Sequence, residues 1–166
     1  MAVHIRDIFD AQSTTFSFEF FPPKTAEAAE VLFQNIKDLE ALKPSFVDVT
    51  YGAGGGTRDL TDALLLRLAR ETRLDAIPHL TCVCHTEPEI RQVLETWAAA
   101  GISNILALSG DIPRDRPDWD RGRDAFRYAA ELVAYIRSFR GHPDPHGRGF
   151  GIGVAGFPEG HPGCPN

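Results

Sequence analysis

The stretch FVDVTYGAGGGTRDLTDALLLRLARETRLDAIPHLTC, residues 46–82, predicts a strand, a helix and a second strand in succession. Residues 46–50 form a short β-branched and aromatic run, and residues 77–82 form another apolar run. A leucine-rich segment lies between them, from Thr57 to about Thr72. This order predicts two parallel strands joined by a right-handed helical crossover.

The same alternation extends towards both ends of the chain. Residues 15–21 are aromatic and alternate with period two, which predicts a strand that Pro22 ends. Helices are predicted after Thr25 and after Thr86, which has the Thr-x-x-Glu spacing of a capping box. The remaining predicted elements are strands at 104–108 and 150–155 and, between them, a helix that carries Phe126.

Two architectures fit this order, a doubly wound sheet and a (β/α)8 TIM barrel. Polar residues stand at or just beyond the carboxyl ends of several strands, the edge that holds the active site of a barrel: Glu19, Thr50, His79 and Asp111. Pro22 and Pro23 follow the first strand, where a dinucleotide-binding fold would carry its glycine fingerprint. The sequence therefore favours the barrel.

The chain length limits how much of a barrel can form. A complete barrel takes about 250 residues and eight strands, whereas the 166 residues here contain about five predicted strands. We therefore expect a partial (β/α)8 barrel, truncated before closure, as a single domain over residues 1–166 with a lead-in at 1–15. A complete doubly wound domain is the alternative.

Composition excludes several classes of protein. Lys and Arg number 17 and Asp and Glu 23, a net charge of −6, so we expect no nucleic-acid partner held by a basic surface. No apolar stretch approaches the roughly 20 residues that span a bilayer, and residues 1–15 lack the apolar region of a signal peptide. The three cysteines have no framework spacing, which indicates reduced thiols and a cytoplasmic location.

Glu19 is the first candidate for chemistry. It lies among Phe18, Phe20 and Phe21, and poor solvation there would keep a proton on its carboxyl group near neutral pH, as a general acid requires. A solvated Glu19 on an exposed face fits the same pattern.

Two further segments invite a ligand interpretation. The glycines at 52–56 would expose N–H groups near a helix N-terminus, which suits phosphates or a flat ring, although a plain turn is the alternative. The segment HLTCVCH, residues 79–85, holds two histidines and two cysteines. Strand alternation would direct these two residue types to opposite faces, so we expect no metal site. His79 is interpreted as a group beside a ligand or as a core histidine.

Two loops after the later strands also carry polar groups. Asp111 follows an apolar strand, where it would accept hydrogen bonds from a ligand or cap the turn. The segment FPEGHP, residues 157–162, places an aromatic ring, a carboxylate and a histidine after the last strand.

Taken together, five segments resemble the methylenetetrahydrofolate reductase family. They occur in the family's order and at similar spacing: FSFEFFPPK (16–24), FVDVTYGAGGGTRDLT (46–61), PHLTC (78–82), GISNILALSGD (101–111) and VAGFPEGHP (154–162). The resemblance implies a flavin-containing barrel in which NADH or NADPH reduces FAD. The reduced flavin then converts 5,10-methylenetetrahydrofolate into 5-methyltetrahydrofolate for methionine synthesis. It also implies that the full-length form is a homo-oligomer.

The resemblance also implies roles for individual residues. Glu19 matches the acid that protonates the folate, and Asp111 matches the acid beside flavin and pterin. Thr50 matches a residue near the flavin, where the nicotinamide binds. Other positions match FAD contacts or lie beside them: Tyr51, Ala53, His79, Gly110, Ala129, Phe157 and His161.

The chain departs from the family pattern in two ways. Ser109 stands where some relatives have arginine, so a guanidinium contact to the cofactor is expected to be missing. The family also continues past Asn166 with a basic helix that holds the FAD phosphates and with further strands. A truncated barrel that cannot retain flavin, or a small α/β nucleotide-binding domain, therefore stand as alternatives to an active reductase.

Overall fold

The computed structural model describes residues 3–51 and 58–161, over which helices and strands alternate. The predicted glycine-rich loop, with Ala53, and the following Thr57 lie outside the described residues. The strands are β1 Ser17–Phe20, β2 Phe46–Val49, β3 Ala76–Thr81, β4 Asn104–Leu108 and β5 Gly151–Val154. The α-helices are α1 Ile5–Ala11, α2 Ala26–Leu39, α3 Arg58–Glu71, α4 Glu87–Ala99 and α5 Ala129–Ser138.

The strands and two helix starts confirm the local predictions. Each predicted strand is present within two residues of its predicted ends. The Thr25 hydroxyl accepts a hydrogen bond from the backbone N–H of Ala28 at 3.2 Å, as an N-cap should. The Thr86 N–H donates to the Glu89 carboxylate at 2.7 Å, which completes the capping box of α4.

One helix start was predicted too early. Phe126 was expected on α5, but it precedes that helix, which begins at Ala129. The backbone N–H groups of Arg127 and Tyr128 donate to the Glu131 carboxylate at 2.7 and 3.1 Å. That carboxylate satisfies two N–H groups at the helix end and so fixes where α5 begins.

The lead-in at 1–15 contains helix α1, to which the sequence analysis assigned no element. The Asn104 side chain, at the amino end of β4, anchors the segment before and at the start of α1. Its Oδ1 accepts from the Ile5 N–H at 2.6 Å, and its Nδ2 donates to the Val3 carbonyl at 2.8 Å. Helix α1 therefore lies at the amino-terminal end of the sheet, away from the strand ends expected to carry function.

The strands form a parallel sheet whose order follows the chain, β1-β2-β3-β4-β5. A doubly wound sheet reverses its order at a switch point where the ligand binds. The described strands show no such reversal, which argues against the doubly wound alternative. The α/β architecture with sequentially ordered parallel strands is consistent with part of a TIM barrel.

The two faces of this sheet differ in chemistry. One face packs against the helices and is apolar, with Val49, Leu80 and Ile105 fully buried beside Trp97. The opposite face, called the inner face below, carries the alternate residues of the same strands, including Glu19, Asp48, His79 and Thr81. Polar side chains are thus concentrated on the face that a closed barrel would enclose.

Candidate active site

The inner face brings together three titratable side chains from three strands. Glu19 on β1 and Asp48 on β2 are register partners in adjacent parallel strands. The Glu19 Oε2 lies 4.0 Å from Nε2 of His79, which is on β3. We call Glu19, Asp48 and His79 the carboxyl cluster. Strand pairing assembles it, because neighbouring parallel strands hold partner side chains about 5 Å apart.

Of the two environments considered for Glu19, the structure supports the exposed face and not the aromatic surroundings. The Glu19 side chain is 51% exposed, and Phe20 points to the opposite face, where it packs against the core. Phe21 is itself 72% exposed. Period-two alternation separates Glu19 from its sequence neighbours, so the groups that influence its carboxyl group lie on β2 and β3 instead.

Asp48 is the site residue that the sequence analysis missed. Burial raises the pKa of the Asp48 carboxyl group to about 6; a hydrogen bond with Ser17 opposes the rise, and the Glu19 charge adds to it. The available signal was its spacing from Thr50. Residues two apart on a strand share a face, so the side chain of residue 48 is expected on the same face as that of Thr50.

His79 and Thr81 present buried polar atoms to the inner face. Burial lowers the pKa of His79, and the Glu19 charge opposes that shift. The His79 Nε2 and the Thr81 Oγ1 are buried with no hydrogen-bond partner among the described residues. Buried polar groups in folded proteins are normally paired. These two atoms therefore fit a polar ligand that lies on this face.

The turn after β4 requires a glycine at position 110. Gly110 has φ of +76°, and a Cβ atom there would lie 2.6 Å from Cγ1 of Val83 and 2.8 Å from Cβ of Thr81. Both the conformation and the space exclude a side chain. The turn therefore lies tightly against β3, and it leaves Asp111 exposed at the strand end.

A guanidinium group lies at this turn even though Ser109 replaces the arginine of some relatives. Arg121 Nη1 donates to the Ser109 hydroxyl and the Gly110 carbonyl, both at 3.2 Å. Its Nη2 donates to the Ser109 carbonyl, also at 3.2 Å. The loop between β4 and α5 thus supplies a guanidinium group beside the turn, from a different position in the chain. Sequence patterns gave no signal for this contact.

A buried aspartate holds that loop in place. The fully buried Asp124 side chain accepts from the Cys84 N–H at 2.8 Å, from Trp119 Nε1 at 2.9 Å and from Arg121 Nε at 3.0 Å. Charge-assisted hydrogen bonds of this kind are stronger than neutral ones. Asp124 thus links the loop after β3 to the loop after β4, through a side chain that carries the Arg121 guanidinium.

Tyr51 lies on the wrong face for a side-chain contact with a ligand on the inner face. Its ring is buried in the core, and its hydroxyl lies 3.3 Å from Nε2 of His85. The pKa of His85 is lowered to about 4, mainly by burial. Any contact of Tyr51 with a ligand on the inner face would come from its main chain.

The remaining predicted positions lie around the carboxyl ends of the strands. Thr50 directly follows β2, and its N–H donates to the Phe20 carbonyl at 2.9 Å. Ala129 is the first residue of α5 and is half-buried. Phe157, after β5, is exposed, and its ring makes an edge-on contact with the His161 ring, with the two ring centroids 4.6 Å apart. These residues are not part of the carboxyl cluster.

The described residues show neither a metal-binding cluster nor a membrane-spanning helix. Within residues 3–51 and 58–161, no group of three His, Cys, Asp or Glu side chains is arranged to hold a metal ion. Over the same residues, none of the helices has the length and apolar character needed to cross a membrane.

Comparisons with known proteins show related sequences across nearly the whole chain. A family model described as methylenetetrahydrofolate reductase matches residues 4–166. The chain is 40% identical over 158 residues to Methylenetetrahydrofolate reductase (NADH) 1 of Arabidopsis thaliana, covering 95% of this chain and 26% of that protein. It is 39% identical over 148 residues to the 5,10-methylenetetrahydrofolate reductase of Pectobacterium carotovorum, covering 88% of this chain and 44% of the relative. The chain therefore spans about a quarter of the plant relative and less than half of the bacterial one.

Proposed function

This chain belongs to the methylenetetrahydrofolate reductase family, and on that premise we propose that it forms part of an enzyme that reduces 5,10-methylenetetrahydrofolate to 5-methyltetrahydrofolate with FAD. The observation that carries the proposal is the carboxyl cluster on the inner face, which would provide a proton donor beside the unpaired Nε2 of His79 and Oγ1 of Thr81. The plant relative's name includes NADH, which supports a reduced nicotinamide as the hydride donor. The product would serve methionine synthesis in the cytoplasm.

The described residues suit a flavin in two respects. His79 Nε2 and Thr81 Oγ1 are buried polar atoms without partners among the described residues, and they would pair with polar atoms of a ring. The side-chain-free turn at Gly110 would let a ring approach the main chain closely. When bound there, FAD would supply a carrier for hydride between the nicotinamide and the folate.

In this proposal Glu19 acts as the general acid. Its proton goes to a nitrogen of the folate, the bond from that nitrogen to the bridging methylene carbon breaks, and an iminium carbon results that accepts hydride. The half-exposed carboxyl group is accessible to a folate on the inner face. The Asp111 carboxylate, exposed at the end of β4, would lie beside the pterin and the flavin and disfavour negative charge on a reduced flavin.

The test separates the two half-reactions in the complete protein that contains this chain. We expect the protein to bind FAD, to be reduced by NADH without oxygen and to be reoxidised by methylenetetrahydrofolate. Glu19→Gln should leave flavin reduction within about twofold of wild type and slow reoxidation by folate by about 10²-fold or more, since general acid catalysis contributes that much.

Glu27→Gln, an exposed change at the start of α2, is the matched control and should leave both half-reactions intact. Equal slowing of both half-reactions by Glu19→Gln would contradict the role of Glu19. A wild-type protein without flavin, or one that folate does not reoxidise, would contradict the proposed function.

A further inference from the structure

We propose that Asp48 is a positioning residue for the acid Glu19, and that the two carboxyl groups share one proton for delivery to the folate. The inference rests on the proposed function and deepens it. Asp48 would not touch the reacting atoms; it would keep Glu19 supplied with a proton by placing a second negative charge beside it.

The geometry of the sheet puts the two carboxyl groups beside each other. Glu19 and Asp48 are register partners on adjacent strands and share the inner face. Strand β2 lies between β1 and β3. A Glu19 carboxylate that reaches within 4.0 Å of His79 on β3 must therefore extend across β2, the strand that carries Asp48. Two like charges that face each other on adjacent strands disfavour each other's ionisation.

No cation compensates the pair among the described residues. Asp48 faces Glu19 on one side and the apolar Ile77 on the other. The basic group within 4.0 Å of Glu19 is His79, and burial lowers the pKa of His79 and so favours its neutral form. Ser17, on the same face of β1, contributes a hydroxyl. An isoleucine, a hydroxyl and a neutral imidazole do not offset the repulsion between two ionised carboxylates.

The electrostatics of Asp48 agree with this geometry. Its pKa is raised to about 6, chiefly by burial and in part by the charge of Glu19. Interacting carboxyl groups titrate as a unit, so the raised proton affinity belongs to the pair. After the proton has passed to the folate nitrogen, the repulsion between two ionised carboxylates would draw a proton back from solvent. The cycle consumes one proton for each hydride delivered.

The experiment compares the complete enzyme with its Asp48→Asn variant, which keeps the shape of the side chain and removes its charge. Reoxidation of the reduced flavin by methylenetetrahydrofolate is followed in single turnovers across pH. Wild-type rates should fall on the alkaline side as the pair loses its proton. In Asp48→Asn that fall should occur about one pH unit lower, because Glu19 loses the neighbouring charge. At low pH the two rates should converge.

A second measurement reads the shared proton without turnover. Carbon-13 NMR titration of labelled glutamate carboxyl groups, with the Glu19 signal identified by its loss in Glu19→Gln, should show a lower apparent pKa of Glu19 in Asp48→Asn. Flavin reduction by NADH should be unchanged at every pH, which separates a proton effect from a folding defect. Asp38→Asn, a change on the exposed surface of α2, should leave the titration and both rates as in wild type.

Three results would overturn the inference. An unchanged pH profile in Asp48→Asn would show that Asp48 does not influence the acid. A loss of rate that is uniform across pH, with the apparent pKa of Glu19 unchanged by NMR, would show a merely structural role. A wild-type enzyme that folate does not reoxidise would refute the proposed function and this role with it, even where NMR shows coupled titration. The first two results leave the proposed function standing.

Discussion

At the scale of single residues, the site depends on which side chains the local backbone admits. Position 110 requires the absence of a side chain, whereas Glu19 depends on the direction in which its side chain points. Gly110 is required because nothing larger than hydrogen fits between its backbone and β3. Glu19 is useful because strand alternation separates it from Phe18 and Phe20 and directs it to a face with polar neighbours.

Gly110→Ala is expected to destabilise the complete protein. The new methyl group would meet Val83 and Thr81 at under 3 Å, and φ of +76° disfavours any L side chain. The free energy of unfolding should fall by roughly 2–4 kcal/mol, the sum of backbone strain and overpacking. Urea unfolding measures the change.

Gly156→Ala is the matched control for that change. A Cβ atom there meets nothing within 4 Å, and the backbone is not in the left-handed region. Its unfolding free energy should stay within about 0.5 kcal/mol of wild type. Similar losses in the two variants would show that the tight approach of the turn to β3 is not what position 110 requires.

At the scale of elements, the loop from β4 to α5 is built around two charged side chains. Arg121 binds Ser109 and Gly110 from the loop, and Asp124 accepts hydrogen bonds from the segments on either side. The carboxyl ends of β3 and β4 both belong to the candidate site. This loop contacts both of them, so it sets how rigidly that edge of the sheet is held.

Arg121→Ala is expected to weaken flavin binding in the complete protein. Removal of the guanidinium leaves the Ser109 and Gly110 carbonyls without that donor and the buried Asp124 carboxylate without its cation. Flavin binding would then have to reorder the loop, and a cost of about 1–3 kcal/mol for this corresponds to roughly 5- to 150-fold weaker binding. Titration of the apoprotein with FAD, followed by flavin fluorescence, measures the dissociation constant.

Two further variants identify the cause. Arg121→Lys should not restore affinity, because an ammonium group cannot reproduce the planar fork of hydrogen bonds. Arg114→Ala, an exposed arginine of the same loop, should bind FAD as wild type does. Equal affinity of Arg121→Ala and wild type would show that the loop does not position the site.

At the scale of the whole molecule, the sheet of the described residues ends at β1 on one side and at β5 on the other. Unpaired backbone groups at such edges promote association with other chains. Large apolar side chains near them are exposed, among them Phe16 and Phe21 at 72% and Val154 at 57%.

A polypeptide limited to residues 1–166 is therefore expected to be colourless, weakly stable and self-associated. Both sheet edges and the apolar side chains beside them would be in contact with water, which soluble monomers avoid. Size-exclusion chromatography with an absorbance spectrum tests this, and the complete protein is the control. A stable monomer of residues 1–166 that retains FAD would contradict the expectation.

The sequence by itself determined the five strands, four of the five α-helices in the described residues and the order of these elements. The strand positions, the caps at Thr25 and Thr86 and the parallel β/α alternation follow from interactions between residues two to four apart. Such interactions are visible in a sequence, because side-chain periodicity and capping chemistry depend on near neighbours alone. The start of α5 was misplaced because the glutamate that caps it lies inside the predicted helix.

Only the tertiary structure decided which residues meet. Strand register brings Asp48 beside Glu19, although 29 positions separate them in the chain, and a loop brings Arg121 to the turn at Gly110. Packing of the core turns Tyr51 away from the inner face. These contacts join distant segments, and they depend on how whole faces bury their apolar surface and satisfy their polar groups. That is why Glu19 was found from its strand, whereas its proximity to Asp48 was found only from the sheet.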